Sequence, residues 1–382
     1  MKKIIVLGTG MVGSAMAIDL CKDYEVTCAD INKDALNKIA AQHLIATIVA
    51  DLSKASVIKE IIAPFDLVIG AVPGFMGFQT LKTVLENGKN SVDISFFEED
   101  PFLLNELAKK NNLTAVVDCG VAPGMGNIIL GHHNSKAKIE SFECLVGGLP
   151  MVRTWPYEYK APFSPVDVIE EYIRPARYIE NGKMIVRPAL SDPEYINFEQ
   201  VGTLEAFNTD GLRSLAKTMQ IKNMKERTLR FPGHIAYMRV LRETGFFDKT
   251  PIAINGTEIR PIDFTSRLLF PKWKLQEGEE EFTIMEIIIE EEEGNKYTYK
   301  LYDTYNKATQ TSSMARTTGY TCTAVARLII ENKFTQKGIC PPEYIGANET
   351  CFIEVMSYLK SRNVIYKKEV AQKNKTTLAN TI

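Results

Sequence analysis

The N-terminal part of the chain alternates short apolar runs with longer amphipathic segments. Residues 3–7 and 25–29 are compact apolar runs, and the amphipathic segment 12–22 lies between them. The alternation predicts further strands at 44–50, 66–71, 91–94 and 115–118, and helices at 53–62, 80–87 and 101–110. Strands separated by helices of this length indicate an α/β domain built on a doubly wound parallel sheet.

The pattern changes after residue 121. Strand-like runs recur without regular helices between them, at residues 141–146, 184–188, 251–254, 282–290 and 296–302. The last two predict a hairpin, and the section as a whole predicts an α+β region with a mixed or antiparallel sheet. Helical patterns return at 314–331 and 351–360. Residues from about 368 onward are polar and aperiodic, which predicts disorder.

A glycine-rich turn joins the first predicted strand to the first predicted helix. Its sequence is Gly8-Thr9-Gly10-Met11-Val12-Gly13. In this setting the motif predicts a Rossmann-type dinucleotide site, because Gly8 permits the turn, Gly10 admits a pyrophosphate and Gly13 lets the helix pack closely. Asp30 ends the next strand, where its carboxylate would accept hydrogen bonds from the adenosine ribose and repel a 2′-phosphate. NAD is therefore expected, and NADP is less favoured.

Other cofactor contacts are expected at the carboxyl ends of the strands, where doubly wound sheets bind ligands. Ala71, Val72 and Pro73 follow one such strand and are expected to flank the nicotinamide ribose. Asp51 follows another and is expected beside the adenine, with a helix cap as the alternative role.

Composition narrows the classes of function. The net charge of −2 over 382 residues gives no electrostatic support for nucleic-acid binding. No apolar run approaches the ~20 residues that span a bilayer, and no signal peptide is visible, so a cytoplasmic protein is expected. The seven cysteines form no C-x-x-C pair and the four histidines have no metal-ligand spacing, so neither disulfides nor a metal site is expected.

Eight segments carry a more specific signal. They are DCGVAPGMGNIILG (118–131), VGGLP (146–150), FSPVDVIEEYIRPARYIENGK (163–183), LEAFNTDGLRSL (204–215), RTLRFPGH (227–234), INGTEIRP (254–261), SMARTTGYTCTAVARLI (313–329) and KGICPPE (337–343). Together they resemble the saccharopine dehydrogenase superfamily, most closely its lysine 6-dehydrogenase-like branch. The resemblance implies a nicotinamide-dependent dehydrogenase acting on the C–N bond of an amino acid.

The resemblance also implies a discontinuous architecture. Residues 1–121 and 314–367 would form the nucleotide domain, and residues 122–313 an inserted substrate-binding and dimerisation domain. A small amino acid would bind in the cleft between them, and a homodimer or larger homo-oligomer is expected.

Two departures from the family pattern bear on the substrate. Ala122 stands where saccharopine-type members typically carry an acid, which favours the lysine branch. Asn208 stands where the lysine branch carries a histidine, and Arg213 nearby is suited to a second carboxylate. The two departures point in opposite directions.

Amine oxidation needs a proton acceptor, because the amine must be neutral when hydride leaves. Asp118 is the first candidate, with Asp93, Glu205 and His234 as the others. Asp118 is alternatively a turn-forming acid, and His234 alternatively a structural histidine that hydrogen-bonds the loop backbone.

Substrate binding has its own candidates. Arg230 is the first choice for a substrate carboxylate and Arg213 the second, since the guanidinium group offers a planar fork. Glu205 is suited to a cationic amine, and Asp93 lies at a strand end where a ligand is expected. The resemblance places Tyr159 and Ser164 over the nicotinamide. Residues 174 and 177, both arginines, are expected at the solvent or an interface.

Three functions remain in competition at this point. The first is oxidative deamination of L-lysine or a close analogue at its terminal amine. The second is a saccharopine-type or carboxynorspermidine-type reaction on a secondary amine. The third is an NAD-binding sensor without catalysis.

Overall fold

The computed structural model describes residues 1–276 and 278–372. Its N-terminal elements follow the predicted alternation. They are β1 (Lys3–Leu7), α1 (Met11–Leu20), β2 (Glu25–Asp30), α2 (Lys33–Gln42), β3 (Ala46–Val49), α3 (Ala55–Ile62), β4 (Leu67–Gly70), α4 (Gly74–Glu86), β5 (Asn90–Asp93), a 3-10 turn (Pro101–Leu104), α5 (Asn105–Lys110) and β6 (Thr114–Val116).

The remaining elements alternate less regularly. They are α6 (Met125–Asn134), β7 (Ile139–Pro150), α7 (Pro165–Ile173), β8 (Ala176–Glu180), β9 (Lys183–Arg187), β10 (Glu194–Phe198), β11 (Gly202–Asn208), α8 (Leu215–Thr218), β12 (Asn223–Arg230), α9 (His234–Glu243), β13 (Ile252–Ile254), β14 (Thr257–Ile259), α10 (Pro261–Trp273), β15 (Glu281–Glu291), β16 (Asn295–Thr304), α11 (Ser313–Ile330), β17 (Gly338–Cys340), α12 (Pro342–Ala347), α13 (Glu349–Ser361) and β18 (Lys367–Gln372).

The first sheet is parallel and has the strand order β17-β6-β5-β4-β1-β2-β3. Its central strands β1 and β4 are apolar and buried because helices cover both faces. The doubly wound prediction is confirmed, and the structure adds a seventh strand to the predicted six. That strand, β17, returns from the C-terminal part of the chain and pairs with β6. The helix α11 packs on α1, so the late helices belong beside the nucleotide sheet.

The second sheet is mixed and contains nine strands in the described chain. Its main path runs β10-β11-β12-β7-β15-β16-β18, and the β8–β9 hairpin attaches through β12. The predicted hairpin between β15 and β16 is confirmed. The hydrophobic pattern does not predict strands β8, β10, β11 and β12, because charged and polar residues interrupt their apolar positions.

The prediction of disorder from residue 368 is wrong for residues 368–372. These residues form most of β18, which pairs antiparallel with β16. Its side chains are all exposed, so the strand has no apolar period and is held by backbone pairing. An ion pair of 2.7 Å between Lys300 and Glu369 joins the two strands. Residues 373–382, on which the rest of the prediction falls, lie outside the described residues.

Within the described ranges, no helix combines the length and apolar character needed to cross a membrane.

Candidate active site

A cleft of ≈ 1190 Å³ lies between the two sheets. One wall consists of the carboxyl ends of β1, β2, β4 and β5 with the loops that follow them, and the other wall contains α7 and one face of β12. The crevice beyond the carboxyl ends of parallel strands is where doubly wound sheets bind ligands. This cleft is therefore the candidate active site.

The glycine loop forms one end of the cleft. Gly8 has a φ of +104°, and a Cβ there would lie 2.4 Å from the Ala71 carbonyl oxygen. A Cβ on Gly13 would lie 2.0 Å from the Gly8 oxygen, whereas a Cβ on Gly10 would meet nothing within 4 Å. Gly8 and Gly13 are thus required by packing, while Gly10 leaves open space above the backbone. The helix α1 has no side-chain cap, so its first N–H groups are available to phosphates.

The geometry of the loop predicts different effects for two alanine substitutions. Gly10→Ala is expected to leave the thermal midpoint unchanged and to weaken dinucleotide binding at least about tenfold, because its methyl group enters the space expected for the pyrophosphate. Gly13→Ala is expected to weaken binding and also to destabilise the protein by about 1–3 kcal/mol through overpacking. Fluorescence titration and thermal unfolding measure the two effects. Normal dinucleotide affinity in Gly10→Ala would place the phosphates elsewhere.

Most of the predicted cofactor residues line this end of the cleft. They are Gly8, Gly10, Met11, Val12, Gly13, Asp30, Asp51, Ala71, Val72 and Pro73. Thr9 does not line it. Its N–H donates a hydrogen bond of 2.6 Å to Asp30 Oδ2, which fixes the carboxylate beside the loop. The Asn32 N–H donates to Oδ1 at 2.8 Å. Asp51 accepts from Ser53 and pairs with Lys54 at 3.1 Å, so it also organises its own turn.

Asp118 and Arg213 form a buried ion pair. The guanidinium donates to both Asp118 oxygens at 3.1 and 3.2 Å, and the two side chains are only 1% and 4% exposed. Arg213 has a φ of +49° and does not line the cleft, whereas Asp118 does. Each charged group is thus neutralised by the other and is not free to bind a ligand. The hypotheses that Asp118 accepts a proton and that Arg213 binds a carboxylate have this pairing against them.

His234 lies behind the cleft wall in a hydrogen-bonded chain. Its Nδ1 lies 2.8 Å from the Tyr157 carbonyl oxygen, so Nδ1 carries the proton. Its Nε2 then accepts from the Tyr172 hydroxyl at 2.9 Å, and that hydroxyl accepts from Arg230 Nε at 3.1 Å. Burial, followed by the charge of Arg230, lowers the pKa of His234 to about 3. Both ring nitrogens are used, so His234 positions Arg230 and is poorly placed to take a substrate proton.

The other predicted residues divide between the cleft and its support. Ser164 and Arg230 line the cleft, but Tyr159, Glu205 and Asp93 do not. The Tyr159 ring lies 4.5 Å from the Arg230 guanidinium. Glu205 accepts from the Gly233 N–H at 3.0 Å. Asp93 is buried beneath the cleft floor and accepts from the Ser95 N–H at 2.8 Å. Burial raises the pKa of Asp93 well above its usual range.

Glu226 lines the cleft and is not among the residues predicted from the sequence. It shares one face of β12 with Thr228 and Arg230, and both of these residues line the cleft too. Its carboxylate lies against Gly211, where a Cβ would be 1.8 Å from Oε1. No hydrogen bond or ion pair joins that carboxylate to another described residue. Burial raises the pKa of Glu226 to about 8, helped by the negative charges of Glu171, Asp210 and Asp118.

The helix α7 directs one charged face into the cleft. Its residues Asp167, Glu170 and Glu171 line the cleft together with Arg174, which follows the helix. The spacing i, i+3, i+4 and i+7 places all four on the same side. The expectation that Arg174 lies at the solvent or an interface is wrong, since its side chain is 10% exposed and faces the cleft. Arg177 is 41% exposed and pairs with Asp210 at 2.7 Å.

Glu171 neutralises Arg230. The distance between Glu171 Oε2 and Arg230 Nη2 is 2.6 Å.

Across the described residues, no group of three or more His, Cys, Asp or Glu side chains is arranged to hold a metal ion.

Two family models together match most of the chain. The model described as the saccharopine dehydrogenase NADP binding domain matches residues 4–116, and the one described as the saccharopine dehydrogenase C-terminal domain matches residues 120–365.

Curated relatives carry related names. "Alpha-aminoadipic semialdehyde synthase" of Arabidopsis thaliana is 26% identical over 241 residues, which cover 59% of this chain and 23% of the relative. "Saccharopine dehydrogenase [NADP(+), L-glutamate-forming]" of Pyricularia oryzae is 24% identical over 262 residues, covering 64% of this chain and 58% of the relative. The chain thus spans less than two thirds of the length of these relatives.

Solved structures share the fold. Apo saccharopine dehydrogenase (L-Glu forming) from Saccharomyces cerevisiae matches with a TM-score of 0.77 and 19% identity, covering 97% of this chain and 100% of that one. Homospermidine synthase from Legionella pneumophila, solved in complex with NAD, matches with a TM-score of 0.68 and 13% identity, covering 100% and 93%. At these identities the likeness shows a common fold.

Proposed function

Because the chain belongs to the saccharopine dehydrogenase family, we propose that it is a nicotinamide-dependent dehydrogenase that acts on the C–N bond of an amino acid. One observation carries the proposal: the glycine loop and the carboxylate of Glu226 open into the same interdomain cleft. The glycine loop and Ala71–Pro73 would hold a dinucleotide at the strand ends, which would leave the part of the cleft that α7 and β12 enclose for the nicotinamide and the substrate.

Glu226 is the proton acceptor in this proposal. A bound nicotinamide supplies the hydride acceptor, while the protein supplies position and proton transfer. A free alkyl amine has a pKa of about 10.4, so it enters the cleft as an ammonium group. The Glu226 carboxylate first attracts this cation and then takes its proton, which leaves the lone pair free when the hydride departs. The same carboxyl group, once reionised, activates the water that hydrolyses the iminium product.

The proposed substrate is L-lysine or a close analogue, oxidised at its terminal amine with release of ammonia. The cationic amine matches the unpaired carboxylate of Glu226. The two arginines expected to bind substrate carboxylates are already neutralised, Arg213 by Asp118 and Arg230 by Glu171. This charge balance favours a substrate with one carboxylate over saccharopine, which carries three.

A reaction on a secondary amine is the second candidate. It is favoured by the names of the curated relatives and by the two guanidinium groups, Arg174 and Arg230, that line the cleft. Purified protein is assayed at 340 nm with NAD or NADP and either L-lysine or saccharopine, with ammonia measured in parallel. Ammonia from lysine is the expected result. Turnover of saccharopine without ammonia would establish the second candidate, and cofactor binding without any turnover would indicate a sensor.

The proposed cofactor is NAD, although the matched family model is described as NADP binding. Asp30 carries this proposal, since a negative charge at the end of β2 repels a 2′-phosphate. Asp30→Asn keeps a hydrogen-bond acceptor for the Thr9 N–H and removes the charge. We expect this variant to lower the ratio of kcat/KM for NAD over NADP at least about tenfold. Asp34→Asn, on the exposed start of α2, is the matched control, and an unchanged ratio in Asp30→Asn would contradict the assignment.

A further inference from the structure

Arg174 is a buried cation without an adequate partner. Its Nε and Nη1 atoms are buried and make no hydrogen bond to any described residue. The nearest carboxylate belongs to Glu170, whose Oε2 lies 3.9 Å from Nη2, beyond hydrogen-bonding distance. Glu170 also pairs with Lys249 at 3.0 Å, so its charge is shared.

This arrangement is unfavourable for the folded protein on its own. A buried guanidinium group that lacks hydrogen-bond acceptors loses its hydration without compensation. Burial and the nearby positive charge of Arg213 both lower the pKa of Arg174. Unsatisfied buried groups of this kind are concentrated at binding sites, where a ligand completes them.

The position of Arg174 excludes a 2′-phosphate on the adenosine ribose as the ligand that completes this side chain. Its guanidinium lies 4.5 Å from the ring centroid of Phe96, in the loop that follows β5. Asp30, which marks the adenosine ribose, ends β2, and the sheet order places β5 and β2 three strands apart. Neighbouring strands are about 4.8 Å apart, so the ends of β5 and β2 are about 14 Å apart. Arg174 therefore belongs to the nicotinamide half of the cleft, where the substrate binds.

We propose that Arg174 binds the carboxylate of the substrate and makes the enzyme selective for an amino acid over the corresponding diamine; this inference rests on the proposed function. The Phe96 ring holds the guanidinium plane through a cation–π contact, which leaves its two unpartnered nitrogens free to donate. Glu226 on β12 receives the reacting amine and Arg174 after α7 receives the carboxylate. The substrate is thus oriented by opposite charges at its two ends.

Arg174→Leu tests this role by comparing L-lysine with cadaverine, which has both amines and no carboxylate. Dissociation constants are measured by calorimetry with NADH present, so that no oxidation occurs, and kcat/KM is measured with NAD. The variant is expected to lose about 10- to 100-fold in affinity and kcat/KM for L-lysine and to leave those for cadaverine unchanged. Its thermal midpoint should equal or exceed that of the wild type. Arg239→Leu, which removes an exposed arginine of α9, is the matched control.

The outcomes separate this inference from the proposed function. If the wild type oxidises lysine but Arg174→Leu keeps the full preference for lysine over cadaverine, the inference is overturned and the proposed function stands. If the wild type oxidises no amine but loses lysine binding in Arg174→Leu, the proposed function fails and the carboxylate site stands. If the wild type binds neither L-lysine nor saccharopine, both are overturned. Arg174→Lys replaces the leucine variant if that variant does not fold, with the same loss expected because the planar fork is gone.

Discussion

Glu226→Gln is expected to lower kcat for the proposed oxidation of L-lysine by about 10²- to 10⁴-fold, the range typical of the loss of a general base. The glutamine has nearly the same shape, and no hydrogen bond from a described residue to the Glu226 carboxylate is broken. In the proposed mechanism, the variant loses the negative charge that attracts the ammonium group and the site that takes its proton. Stopped-flow absorbance at 340 nm measures the hydride step directly.

The pH dependence provides the second readout. As the proposed proton acceptor Glu226 must be ionised to act, so the wild-type rate should rise through a pKa of about 8 and level off above it. The rate of Glu226→Gln should lack this rise near pH 8.

The same pKa affects folding stability. Burial raises the pKa of Glu226 in the folded state above the value of 4.5 expected in the unfolded chain, so the stabilisation from the neutral carboxyl is complete below pH 4.5. It is lost as the pH rises through about 8, and the glutamine variant should therefore be the more stable protein above pH 8.

An exposed acid serves as the control for both readouts. Glu258→Gln, on β14, removes one negative charge outside the cleft and should change neither the rate nor the pH profile. A fall of less than tenfold in Glu226→Gln, with the pH limb retained, would remove Glu226 from the role of proton acceptor.

Asp118→Asn is expected to destabilise the protein by about 3–5 kcal/mol, because it leaves the buried Arg213 guanidinium without its counter-charge. Arg213→Met should cost a similar amount for the reverse reason. The double variant Asp118→Asn/Arg213→Met removes both charges and should recover much of the loss, which a double-mutant cycle reports as a coupling energy. Urea unfolding followed by circular dichroism gives the four free energies of unfolding that the cycle needs, those of the wild type and the three variants.

This experiment also decides between two roles for Asp118. If Asp118→Asn keeps its stability and loses the hydride step, Asp118 is a catalytic residue, as the sequence suggests. If the loss of turnover follows the loss of folded protein, the ion pair holds the segment after β6 against the segment before α8, and Asp118 has no direct part in the chemistry.

The nucleotide half of the protein was predictable from local sequence. Gly8 and Gly13 are required by contacts within the loop and its neighbouring strand, so the residues that make the motif recognisable also make the fold. Asp30 ends the second strand as expected. Strand β17 was not predictable in the same way, because its three residues acquire their partner from β6, more than 200 positions earlier.

The substrate half was less predictable because its chemistry depends on pairing across long distances. The sequence identifies Asp118, Arg213 and Arg230 as residues of suitable chemistry. It does not show that Asp118 neutralises Arg213 or that Glu171 neutralises Arg230. Local signals for Glu226 and Arg174 did exist. Glu226 alternates with Thr228 and Arg230 along one strand face, and Arg174 follows three acids at helical spacing. Burial and the absence of partners, which distinguish these two residues, are properties of the folded chain.

The completion of the first sheet by β17 has a consequence for folding during synthesis. Thr114 pairs with Gly338, and strands β7–β16 lie between them in sequence, so the ribosome must release more than 200 further residues before β6 gains this neighbour. Until then β6 is an unpaired edge that is prone to association with other chains. Folding of the second sheet shortens the effective loop between the two strands and lowers the entropic cost of closing it. The segment that carries β7–β16 therefore helps the first sheet to gain its last strand.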